Sequence, residues 1–73
     1  MKQLKKSASN MKSQDVIEIR LKLGLTVDHF AEAMGVTRQA VVYWETGERK
    51  IPKGTGMLMQ VFYEYPLLIG RYE

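Results

Sequence analysis

The side chains able to do catalytic or metal chemistry are sparse in this chain, and they are not grouped. Its eight carboxylates, Asp15, Glu18, Asp28, Glu32, Glu45, Glu48, Glu64 and Glu73, form no spacing that general acid–base catalysis uses. The single histidine, His29, has no cysteine to join it as a metal ligand and reads as a surface residue. No hydroxyl sits in a nucleophile elbow, and no glycine-rich loop could cradle a phosphate. The expectation is a non-enzymatic chain with no cofactor and no metal. What remains is charge. A net charge of +3 and an isoelectric point of about 9.3 suit a nucleic-acid partner. The distribution qualifies this. Lys2, Lys5, Lys6 and Lys12 lie in the first 12 residues, which hold no acid. The other seven of the 11 basic side chains face eight acids, a balance of −1. The basic arm either reaches phosphates or a minor groove, or is a disordered, solubilising terminus.

With 73 residues the chain has room for one small domain, which buries only about 60% of its unfolded surface. Apolar residues at 45% and charged residues at 26% are ordinary globular composition. The longest charge-free run, 54–63, is far shorter than the roughly 18 apolar residues of a membrane helix. With no apolar leader either, the expected compartment is the cytoplasm.

Residues 1–12 read as a flexible basic tail and 13–73 as the domain. Ser13 or Asp15 could cap a first helix, in which Val16, Ile19, Arg20 and Leu23 form a stripe with Ile17 and Leu21 beside it. Gly24 ends it. Thr26 starts a second helix, with Asp28 at the positive end of its dipole and Phe30, Ala31 and Met34 inward, up to Gly35. Thr37 starts a third, from Arg38 to about Glu45, with Ala40, Val41 and Trp44 inward, closed by Gly47. After a loop over 48–54, a fourth helix is predicted over 55–63 with Leu58, Val61 and Phe62 inward. Pro66 opens a last short helix or turn. Met57, Met59, Tyr63 and Leu67 are either core or a dimer face. The predicted fold class is all-α, with four to five short helices.

The string Gly24-Leu25-Thr26, Phe30-Ala31, Gly35-Val36-Thr37, Val41, Trp44-Glu45-Thr46-Gly47 and Pro52 resembles the helix-turn-helix of the phage repressor and Cro class, the xenobiotic-response-element type, over about residues 16–63. The resemblance implies a lambda-repressor-like domain whose recognition helix, Thr37 to Glu45, enters the major groove of double-stranded DNA. Arg38, Gln39 and Tyr43 stand where that family contacts bases; Arg suits guanine O6 and N7, and Gln suits adenine N6 and N7. Thr37 and Thr46 stand at phosphate-holding positions, flanked by Arg49, Lys50 and Lys53. Arg20 and Glu45 match a pair that often joins the first helix to the third. The family usually has Gln at the first residue of its second helix, and this chain has Val27, which removes one expected phosphate contact. On the residues alone, Arg38 and Gln39 could also be solvated, Tyr43 could pack on the surface, and the loop cations could be offset by Glu45 and Glu48.

The resemblance implies a regulator that acts as a homodimer on a palindromic operator, Cro-like and of phage or prophage type. It would repress by covering a promoter, with occupancy set by its own concentration. An antitoxin-type regulator that also binds a toxin protein is the alternative, because the stretch from Trp44 to Ile69 looks similar to helix-turn-helix antitoxins. A third reading keeps the fold as a protein-interaction module without DNA.

Overall fold

The computed structural model describes residues 11–69. Four α-helices and one 3-10 turn follow in order: α1 Ser13–Leu23, α2 Val27–Met34, α3 Arg38–Thr46, α4 Lys53–Glu64, and the turn Pro66–Ile69. Among the described residues there is no strand. Residues 1–10, most of the basic tail, lie outside the described set. Met11 packs against the core and Lys12 holds the N-cap position of α1, so these two belong to the folded domain.

The helix boundaries follow from local chemistry. At α1 the cap comes from inside the first turn: the Asp15 carboxylate accepts from the Lys12 backbone N–H at 2.9 Å. Ser13 is already helical. Thr26 and Thr37 cap α2 and α3 as predicted, their hydroxyl oxygens accepting from the His29 and Ala40 amides, each at 3.1 Å. Gly24 and Gly35 adopt left-handed backbone, φ 72° and 73°, which only glycine enters without strain. At both sites the following amide, of Leu25 or Val36, bonds back across the helix end to Arg20 or Ala31.

The core forms where the helix faces meet. Val16 and Ile19 of α1, Leu25, then Phe30, Ala31 and Met34 of α2, Val41 and Trp44 of α3, and Met59 of α4 are buried together. Small Ala31 and the glycine-led link through Val36 to Thr37 let α2 and α3 cross closely. A largely buried ion pair crosses the packing. Arg20 Nε donates to Glu45 Oε2 at 2.7 Å and Nη2 to Oε1 at 3.3 Å, while Nη1 bonds the Leu25 carbonyl at 3.1 Å. It joins α1 to α3, as the resemblance implied.

The fourth helix departs from expectation. It begins at Lys53, two residues earlier, because the Pro52 carbonyl already accepts from the Gly56 amide at 2.9 Å. Its inward residues are Gly56 and Met59, with Phe62 and Tyr63 half-buried. Leu58 and Val61 were predicted inward and are 38% and 41% exposed. The helix is apolar on more than one side, so helical spacing permits two stripes, and the one that carries Gly56 and Met59 closes against α1 and α2. Lys22 fastens the far end: its Nζ donates to the Tyr63 carbonyl at 3.2 Å and lies 4.1 Å from the ring centroid.

Candidate nucleic-acid interface

The site is the outer surface of α3 and the loop that leaves it. Successive helical residues turn by about 100°, so Arg38, Val42, Thr46, Gln39 and Tyr43 fall in that order within an arc of about 140°. The buried Val41 and Trp44 fall outside that arc, with Glu45 beside them turned toward Arg20. Arg38, Gln39 and Thr46 are exposed, and Val42 and Tyr43 are half-buried. The fold therefore puts the three base-contact candidates on one outward face.

The polar atoms on this face differ in what they can still do. The Thr37 oxygen is used as acceptor by the helix cap, which leaves its proton to donate. Thr46 donates to the Tyr43 carbonyl at 3.3 Å and accepts from the Glu48 amide at 3.4 Å, so its hydroxyl is turned toward the backbone. The Arg38 Nε stands 2.9 Å from Asp28 Oδ1, with both side chains mostly exposed. Gln39 projects into solvent from the first turn.

The following loop is tied back to the helix. The Tyr43 carbonyl accepts from the amides of Gly47, Glu48 and Arg49 at 3.0, 2.9 and 3.3 Å, besides the Thr46 hydroxyl. This gather requires the left-handed turn at Gly47, φ 86°. The Arg49 guanidinium then lies 4.7 Å from the centroid of the Tyr43 ring. Tyr43 thus links the face of α3 to the first loop cation. Lys50 is exposed in the loop and Lys53 on the first turn of α4.

Two residues were not singled out for this face. Val42 lies on the arc next to Arg38, where an apolar side chain can meet a thymine methyl group; its position between Arg38 and Tyr43 in the helical order was the available signal. Asp28 was read only as a partner of the helix dipole. Its meeting with Arg38 depends on the α2–α3 crossing, which no spacing along the chain encodes.

No helix among the described residues is long and apolar enough to cross a membrane. No curated protein matches the chain. The helix-turn-helix family profile matches residues 16–67, most of its length. With α2 and α3 crossing through a glycine-led turn and α3 presenting a polar outer arc, the chain belongs to the helix-turn-helix family of the Cro and repressor class, a family of DNA-binding transcriptional regulators.

Proposed function

We propose that this chain is a sequence-specific regulator that binds operator DNA as a homodimer, with α3 in the major groove of each half-site. One observation carries the reading: the outward arc of α3 holds Arg38, Gln39, Val42 and Tyr43, while the apolar side of the helix is locked into the core. A helix so held can present side chains to base edges without moving. Arg38, Gln39 and Tyr43 read bases, and Val42 adds a contact for thymine. Thr37, Arg49, Lys50 and Lys53 hold phosphates. Thr46 joins them once its hydroxyl turns away from the Tyr43 carbonyl.

The homodimer rests on a second observation. Leu58, Val61 and Met57 of α4 are exposed, and so are Tyr65, Leu67 and Leu68 beyond it. A second copy would cover this apolar surface. Bound across a promoter, such a dimer represses by exclusion.

The test is a selection from a randomised duplex library, sequenced after binding. An enriched inverted repeat is the expected result. A folded protein that enriches no sequence overturns the reading. Sedimentation of the protein alone checks the dimer, and a tightly co-purifying second protein in place of the dimer would favour the antitoxin-type alternative.

A further inference from the structure

Arg38 is the base-reading candidate whose charged group already has a partner within the fold, at 2.9 Å from Asp28. Asp28 is the second residue of α2 and Arg38 the first of α3. We propose that Asp28 is a positioning residue for Arg38 and, through it, a determinant of sequence specificity; this rests on the DNA-binding reading above.

The guanidinium is a planar fork with five N–H donors. Asp28 occupies the Nε side of that fork. The edge formed by the two Nη groups is not the one whose nitrogen stands at the carboxylate. That edge can grip two acceptors at once, as guanine O6 and N7 require. While Asp28 Oδ1 stands 2.9 Å from Nε, the carboxylate crowds a side-on approach to that atom. The carboxylate also opposes the competing use of Arg38. Swinging the guanidinium onto a phosphate would leave Asp28 unpaired beside a like charge. Asp28 thus weakens attachment to any duplex and sharpens the choice among duplexes. With the two side chains 64% and 70% exposed, the pair biases a population and does not lock it. The effect belongs in the range of small factors.

The experiment uses the full chain and the variants D28N, D28E, R38A and D28N/R38A. Each is put through the randomised-duplex selection. Each is also titrated on the selected operator and on a scrambled duplex at one fixed salt concentration, because phosphate-driven affinity shifts with salt. Thermal midpoints are followed alongside. D28N is expected to bind the scrambled duplex more tightly and to lose about two- to fivefold of the base discrimination at the one position per half-site that R38A erases. D28E, which keeps the charge, retains that discrimination better than D28N, and D28N adds nothing in the R38A background. The proposal is overturned if D28N leaves the preference at that position unchanged. It is equally overturned if D28N blurs all positions alike, the mark of a general structural role. A wild-type chain that enriches no sequence overturns the DNA-binding reading itself, and the positioning role falls with it.

Discussion

Replacing Glu45 by Ala tests how α3 is held. Arg20 is bound on one side by both Glu45 oxygens, at 2.7 and 3.3 Å, and on the other by the Leu25 carbonyl. The two side chains are only 17% and 13% exposed. Fully exposed pairs contribute about 0–1 kcal/mol, and removing one partner of a fully buried pair costs about 3–5 kcal/mol. This pair lies nearer the buried limit, with an open edge to solvent. Glu45→Ala leaves the guanidinium with one neutral acceptor, so the expected cost is about 2–3 kcal/mol. In a domain of this size each kcal/mol moves the thermal midpoint by about 4–8 °C, so a fall of about 8–24 °C is expected. The assay is urea and thermal unfolding followed by helical circular dichroism. The dependence on urea should keep its slope, because the surface exposed on unfolding is nearly unchanged. The double variant R20M/E45L removes both charges and fills their space with apolar atoms, and it should recover most of the loss. A cost for Glu45→Ala below about 0.5 kcal/mol would place the pair with ordinary surface ion pairs. A double variant no better than Glu45→Ala would show that the loss came from packing and not from a stranded charge.

Other substitutions probe separate links. Met59→Ala, at a fully buried position, should cost about 2–5 kcal/mol in urea unfolding, whereas Val61→Ala should leave a dilute, monomeric sample within about 0.5 kcal/mol of the parent; equal costs would mean that α4 packs by its other face. Gly35→Ala meets no atom within 4 Å, so the left-handed backbone alone sets its cost, about 1–2 kcal/mol by the same assay. An unchanged midpoint would refute that strain argument. Lys53→Ala should weaken binding to all duplexes alike and lower the slope of log affinity against log salt by about 1; an unchanged slope would remove that lysine from the phosphate contacts.

The parts of this fold that could be read from the sequence are those governed by single residues. Gly24, Gly35 and Gly47 stop their helices because each following turn needs a positive φ, and Thr26 and Thr37 start theirs because a hydroxyl can accept from a first-turn amide. The inward face of α2 was readable because its buried residues Phe30, Ala31 and Met34 share one stripe, and that of α3 because Val41 and Trp44 do so even though Val42 lies on the outer arc. The face of α4 was not. Leu58 and Val61 are as apolar as Met59, and the choice between them depends on how the whole helix docks on its neighbours, which its own spacing does not encode. The candidate site divides the same way. The face of α3 follows from helical spacing, and Arg20–Glu45 from the family resemblance. The Asp28–Arg38 pair and the Tyr43–Arg49 stack need two segments in place at once. The turned-in hydroxyl of Thr46 is equally invisible in a list of residue types.

The gather of donors on the Tyr43 carbonyl has a consequence for how the chain can change over generations. Three successive amides, from Gly47 to Arg49, share that acceptor, so the exit direction from α3 is set for those three residues. An inserted residue among them would break several bonds at once and carry Arg49 off the Tyr43 ring. Beyond Arg49, Lys50 is exposed and outside this gather, while Ile51 packs against the core and the Pro52 carbonyl accepts from the Gly56 amide at the start of α4. An insertion at Lys50 is therefore expected to be tolerated better than one on either side of it. The loop can thus lengthen by evolution at Lys50, while the frame that aims α3 keeps its dimensions.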